Sequence, residues 1–306
     1  MGFDLYFAGG HTEGTDDYII SKNYNRLLSQ INERKVVYKF MEAKKNGRIG
    51  KLLIESGTFS VHKSGKNVDL DEYIQFLNYN HEFIDYYIQV DDIRGKWGEQ
   101  KIIEQITESP KKTWENFLYM CSKLIEPKKL LPVFHQGEDF KYLSQMLEYR
   151  DTNNNPIEYI CISSNKELPT NQRIDFYYKC YDIIENSSNP NVKIHSLSTQ
   201  SKKQCELFPF TSSDATSWIL NAANGCLYTD FGTVLISDVQ AGKKDNVLNN
   251  VALSQFTNYV EKSGYNINVS NDYKKRIYWN IDYLGDWSDN TYEYKGPKSF
   301  KQNRLF

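Results

Sequence analysis

Short apolar runs recur along this chain, and most of them end on residues able to do chemistry. Residues 3–8 end at Gly9-Gly10, 52–54 at Glu55, 86–90 at Asp91-Asp92, and 130–134 at His135 and Gln136. Residues 159–162 end at Ser163-Ser164, 192–194 at His195, and 207–210 lead into Ser212-Ser213-Asp214. Apolar runs this short, bounded by polar residues, read as buried strands. Longer stretches with apolar residues at helical spacing lie between them. Asp69 is placed to cap one such helix, with Glu72 completing a capping box. Ile174, Tyr177, Tyr178, Tyr181 and Ile184 form a stripe that reads as core packing. Further helical patterns cover 99–106, 113–124 and 247–260, and 226–236 reads as the last strand region, with a hairpin through Gly232.

Strand–helix alternation repeated about eight times predicts a parallel sheet. In a (β/α)8 TIM barrel the C-terminal strand ends converge on one mouth, which gathers Glu55, Asp91, His135, Ser163, His195 and Asp214. An open doubly wound sheet would concentrate such residues near one switch point, and no GxGxxG or Walker pattern follows the first strand. The expected organisation is a barrel over residues 1–265 with an appended C-terminal helix and tail over 266–306. Hydrophobic residues make up 40% of the 306 and charged residues 25%, enough to bury a large core in a soluble chain. No apolar run is long enough to span a bilayer, and Met1-Gly2-Phe3-Asp4 lacks the basic start of a signal peptide, so no membrane partner and a cytoplasmic location are expected. The net charge of −2 argues against a protein that coats nucleic acid, though an enzyme can use a local patch. Lys274, Lys275, Arg276, Lys295, Lys298, Lys301 and Arg304 supply one candidate patch. The five cysteines form no CxxC pair, so they read as reduced thiols with no structural zinc.

Two acids at a barrel mouth, Glu55 and Asp214, suit work on a glycosidic bond: one carboxylate attacks the anomeric carbon while another group handles protons. Asp91 could accept from the N–H groups of a purine, and Phe59 could stack on the base. The same residues admit blander roles. Asp214 could cap a helix, Glu55 could bind backbone N–H groups, and Phe59 could be core. Two other functions fit: a metal-dependent hydrolase with His135, His195, Asp91 and Asp214 as ligands, and a non-catalytic nucleic-acid-binding protein.

The segment Ile54-Glu55-Ser56-Gly57-Thr58-Phe59-Ser60 resembles the DSGGFQ-type motif of the tRNA-guanine transglycosylase family. Val90-Asp91-Asp92 is similar to a strand end of that family. Pro132-Val133-Phe134-His135-Gln136-Gly137-Glu138, Lys193-Ile194-His195-Ser196-Leu197 and Ser212-Ser213-Asp214-Ala215-Thr216-Ser217-Trp218 resemble its phage-type branch. The likeness covers roughly residues 1–240, and five motifs in order are more specific than any one alone. It implies exchange of a guanine in a polynucleotide for a free 7-deazaguanine base, without ATP or a redox cofactor. By position, Asp214 matches the nucleophile, Glu55 the proton-handling acid, Asp91 the reader of the guanine edge, and Phe59 the stacking aromatic. His135, or Gln136, falls at the glutamine that contacts the base. Ser163 falls near a glycine-rich strand end whose backbone touches it. Apart from the resemblance, His195 reads as positioning a neighbour rather than transferring protons. This chain departs from the pattern in three places. Glu55 stands for Asp, Ser163-Ser164 stands for glycines, and the CxCxxC…H zinc element of the tRNA enzymes is absent. The last departure, with the phage-type motifs, points to DNA rather than tRNA as the polymer.

Overall fold

The apolar runs become strands of one parallel sheet, wound in a ring. The structure is a computed structural model and describes residues 2–10, 12–63, 67–93, 103–199, 201–236, 253–265 and 272–302. Its strands are β1 (Asp4–Ala8), β2 (Asn25–Ser29), β3 (Leu52–Glu55), β4 (Tyr86–Ile88), β5 (Leu130–Leu131), β6 (Val133–His135), β7 (Tyr159–Ser163), β8 (Lys193–Leu197) and β9 (Ser212–Ala215). They pair in the order β5-β4-β3-β2-β1-β9-β8-β7-β6. β5 and β6 are halves of one strand broken at Pro132, which has no N–H to give the ladder. The carbonyls on either side of the break keep its neighbours joined. Leu131 O accepts from Gln89 N–H at 3.1 Å, and Pro132 O accepts from Cys161 N–H at 2.7 Å. The nine segments are therefore eight strands of a closed (β/α)8-type barrel.

Helices α1 (Thr15–Ser21), α2 (Arg34–Lys45), α3 (Thr58–Lys63), α4 (Leu70–Asn80), α5 (Ile103–Lys123), α6 (Lys141–Glu148), α7 (Thr170–Glu185), α8 (Lys202–Leu207) and α9 (Ser217–Ala223) fill the crossovers and follow the last strand. The Asp69 side chain accepts from Glu72 N–H at 3.0 Å, so the expected cap of α4 is in place. The patterns at 99–106 and 113–124 are one helix where described, with Pro110 inside it; residues 99–102 lie outside the described residues, as do 247–252 of the later pattern.

Three expectations change. Residues 207–210 are not a strand, because Phe208 and Phe210 turn outward onto Tyr177 and Tyr181 of α7 at ring distances of 5.0–6.0 Å. The strand is the next segment, Ser212–Ala215, whose small side chains suit a crowded barrel wall. Residues 226–236 add no barrel strand; β10 (Cys226–Thr229) and β11 (Gly232–Leu235) form a separate antiparallel hairpin. Its buried Leu227, Val234 and Ile236 pack with Phe256 and Val260 of α10 (Leu253–Lys262) and Trp279 of α11 (Tyr273–Asp286). Finally, β2 is a strand that apolar runs do not announce, since only Leu27 and Leu28 are apolar.

β2 is held by Arg26, whose side chain is fully buried on the outer wall. Its guanidinium donates to Phe7 O at 2.7 Å, Gly9 O at 2.9 Å and Gly10 O at 3.2 Å, and pairs with Asp16 of α1 at 3.1 Å. Trp218 Nε1 adds a bond to Ala8 O at 3.0 Å. The end of β1 is thus fixed by side chains from β2, α1 and α9. Gly10 (φ +78°) lies so close to Trp218 and Ile219 that an added Cβ would meet them at 2.5–2.9 Å. The C-terminal residues close the other end of β1: Ser288 Oγ donates to Phe3 O at 2.7 Å and accepts from Leu5 N–H at 3.2 Å. Arg26→Met strands the buried Asp16 carboxylate and three carbonyls. A loss of about 3–5 kcal/mol is expected in urea unfolding, the usual scale for breaking a buried pair on one side; a loss below 1 kcal/mol, the surface-pair range, would contradict the clamp.

Candidate active site

Alternation along each strand decides what the barrel encloses. Tyr6, Ala8, Leu27, Leu53, Ile88, Leu131, Val133, Tyr159 and Cys161 form one apolar cluster distinct from the larger core between strands and helices; it fills the barrel. Asp214 lies in register with Tyr6, and Ser212 with His195, which itself pairs with Cys161. Asp214, Ser212 and His195 therefore share the inward face. Ser213 points outward, where its hydroxyl donates to Thr199 O at 2.7 Å.

Asp214 is 4% exposed. Its Oδ1 accepts from the backbone N–H of Ser198, a residue held at φ 55°, and lies 3.5 Å from His195 Nε2. A non-glycine residue in the left-handed region is uncommon, and here it aims a backbone donor at the carboxylate. His195 is not at a strand end as the sequence suggests. It sits in mid-strand with no exposed surface, below Asp214.

Glu55 is the last residue of β3, half-buried, in register with Ser29. Desolvation pushes its carboxyl up to about 8, and the nearby charges of Asp214, Glu33 and Asp91 add to the shift while Lys166 opposes it. Among the described residues none hydrogen-bonds the Glu55 carboxyl. Glu33, from the β2–α2 loop, has an oxygen that accepts Ser29 N–H at 2.5 Å. Gly57 follows at φ +80°, where a Cβ would meet Ser29 Oγ at 2.5 Å, so glycine is required to turn the chain away from the mouth.

Asp91 lies beyond the end of β4 and is held from two sides. Gln89 Nε2 donates to Oδ1 at 3.3 Å, and His135 Nε2 lies 3.2 Å from Oδ2. Ser163 ends β7 in register with His135 on one side and Leu197 on the other. Gln136 turns to the next crossover: its Nε2 donates to Gln172 O at 3.2 Å, and its Oε1 accepts from Asn165 N–H at 3.0 Å. Phe59 has its backbone in α3, but its side chain lies outside the described residues. The basic cluster is partly spent on structure. Arg276 Nε donates to Ala222 O at 2.8 Å, and Lys295 pairs with Glu206 at 2.9 Å, beside the segment that enters β9 at the end opposite the mouth. The Lys301 side chain and Arg304 lie outside the described residues.

The structure thus brings Glu55, Asp91 and Asp214 into one electrostatic cluster, with His135 against Asp91 and His195 against Asp214. It adds Glu33, Ser198 and Ser212, which no apolar run signals, and Tyr159, which lies in an apolar run but at its start and not at its end; the two-residue spacing of Ser212 and Asp214 is the trace the sequence carries. Among the described residues no group of three or more His, Cys, Asp or Glu is placed to hold a metal ion, and no described helix is long and apolar enough to cross a membrane. No protein-family model matches the chain, and no curated protein matches it significantly.

The raised Glu55 carboxyl has a consequence for stability. Between the ordinary value of 4.5 and about 8 the folded state holds a proton that the unfolded state has lost. Stability from this group is full below 4.5 and falls as pH rises through 8. Glu55→Gln cannot ionise. Its unfolding free energy in urea, relative to the natural protein, is expected to climb over that window; parallel pH curves would mean that Glu55 is an ordinary acid.

Proposed function

We propose that this protein is a guanine transglycosylase acting on a polynucleotide, DNA rather than tRNA, with a free 7-deazaguanine as the incoming base. The observation that carries this reading is the division of labour between two carboxyls of one cluster. Glu55 is pushed up to about 8 with no hydrogen bond to its carboxyl among the described residues, while Asp214 is oriented by the Ser198 amide. Carboxyls held in such different surroundings suit opposite tasks, one to carry a proton and one to attack. The motif resemblance supplies the substrate class, and the missing zinc element supports DNA.

In the first displacement an Asp214 oxygen forms a bond to C1′ of the target nucleotide. The glycosidic bond breaks, its electron pair leaves with guanine, and Glu55 gives guanine a proton. In the second, the incoming base loses its proton to Glu55 and its nitrogen attacks C1′, releasing the Asp214 carboxylate. Charge at the sugar is positive in both transition states, and the cluster of Asp214, Glu33 and Asp91 favours it. Asp91, braced by His135 and Gln89, accepts from the N–H edge of the base, and Phe59 is the stacking residue. A base inside a duplex has to leave the stack to reach an interior carboxylate.

The test is incubation with labelled guanine and with a 7-deazaguanine, using duplex DNA, single-stranded DNA and tRNA as acceptors. Label is expected in DNA. Asp214→Asn is expected to cut the rate by about a thousandfold or more, as loss of a covalent nucleophile does. Glu55→Gln is expected to cost about a hundredfold, the scale of general acid–base catalysis. A folded protein that labels no polymer, or an Asp214→Asn variant at full rate, would refute the reading.

A further inference from the structure

Below Asp214 the barrel interior holds three polar side chains in series. Tyr159 Oη lies 2.5 Å from Ser212 Oγ, Ser212 Oγ contacts His195 Nδ1, and His195 Nε2 faces Asp214 Oδ1 at 3.5 Å. All are buried, in a space otherwise lined by Leu27, Leu53, Val133 and Cys161. Tyr6 meets the His195 ring edge-on at 5.8 Å.

A hydroxyl chain of this kind has two possible directions, and the geometry separates them. In one, Tyr159 O–H donates to Ser212, Ser212 O–H donates to His195 Nδ1, and the imidazole carries its proton on Nε2, toward Asp214. Both hydroxyl protons then have acceptors, and the Nε2–H faces the Asp214 carboxylate at 3.5 Å, a charge contact longer than a formed hydrogen bond. In the other, Nδ1–H donates to Ser212 and Ser212 donates to Tyr159. The phenol proton then has no acceptor among the described residues, because Ser212 is the hydroxyl's one hydrogen-bond partner there. A neutral ring so oriented would also turn a bare Nε2 lone pair on a carboxylate oxygen. Each direction leaves one donor short of a hydrogen bond, so the contact with Asp214 decides: an N–H facing a carboxylate oxygen at 3.5 Å is attracted, and a bare lone pair there is repelled.

We propose that Tyr159 and Ser212 are positioning residues that lock His195 as the neutral Nε2–H tautomer and aim that N–H at Asp214 Oδ1. With the Ser198 amide on the same oxygen, that oxygen faces two donors and the other oxygen is left for the reacting carbon. The tautomer stands on the two hydroxyl contacts and the charge contact with Asp214; its effect on base exchange rests on the function proposed above.

The experiment is a long-range proton–nitrogen correlation spectrum of the histidine rings in the full ¹⁵N-labelled chain at neutral pH. The sequence has five histidines, and His195→Gln identifies the signal. A bare Nδ1 and a protonated Nε2 are expected. Ser212→Ala removes the donor to Nδ1 and should give a mixture of tautomers, with Tyr159→Phe shifting the ring signals in the same direction. In base exchange on DNA each variant should lose on the order of tenfold to a hundredfold in kcat with KM unchanged. The double variant should be no worse than Ser212→Ala, since both changes break one chain. A protonated Nδ1 at wild type, with or without Nε2–H, would overturn the proposal, as would a tautomer unaffected by Ser212→Ala or additive losses. If Ser212→Ala does not fold, Tyr159→Phe, which removes a single oxygen, decides the point. A wild-type chain without base exchange would refute the function while leaving the spectrum to decide the relay.

Discussion

Closure of the barrel at Pro132 is the constraint on which the site depends. An open sheet would leave β5 and β6 as edges and let water reach the interior between them. The carbonyls of Leu131 and Pro132 instead tie the two neighbours together across the broken strand. Once the ring is closed, every second residue of eight strands points into one narrow interior. Polar groups that fall on that face must find partners among themselves, because a buried polar group left unpaired is expensive. The Tyr159–Ser212–His195–Asp214 series and the raised carboxyl of Glu55 are two results of this one enclosure.

The outer wall is organised by a different buried charge. Arg26 occupies a position where a strand normally places an aliphatic residue, and it uses the position to collect three carbonyls from the end of β1. Two of those carbonyls belong to a turn that cannot continue the ladder, since Gly9 and Gly10 both have positive φ. Desolvation lowers the guanidinium's affinity for its proton, and the Asp16 and Glu33 charges oppose that effect. Glu33 also belongs to the cluster around Glu55, so the clamp on the outer wall and the acids at the mouth share one carboxylate. A change at Arg26 should therefore be felt inside the barrel as well as in stability.

What the sequence discloses follows from how strands are paid out in side chains. Runs such as 52–54, 130–134 and 159–162 are buried on both faces, so they are apolar throughout and easy to find. β2 hides because its outward position is Arg26 and its ends are Asn25 and Ser29. β9 hides because its inward residues are Ser212 and Asp214, while the apolar Phe208 and Phe210 beside it serve an aromatic layer outside the ring. The strand-end rule still brings Glu55, Asp91, His135 and Asp214 to one mouth, since each lies at or just past the end of a true strand. It misplaces His195 by putting it at the mouth when β8 runs two residues further, to Leu197. Partners that act from inside a strand, Ser212 and Tyr159, are invisible to that rule. They become legible only when the register fixes which alternate residues face inward.

The extra methylene of Glu55 acquires a physical sense in this setting. Asp214 is short, and its carboxylate stays inside the barrel within reach of the Ser198 amide and His195. Burial of the Glu55 carboxyl comes first among the causes that raise it, and the charges of Asp214, Glu33 and Asp91 add to the shift. Desolvation and nearness to anions both favour the protonated form. A proton carrier working near neutral pH needs a carboxyl raised toward that range, and lengthening the side chain by one carbon is a direct way to raise it. On this argument Glu55→Asp would shorten the reach to the reacting atoms and also relax the carboxyl toward its ordinary value. Under the proposed base exchange, Glu55 is a different solution to the proton transfer assigned to it.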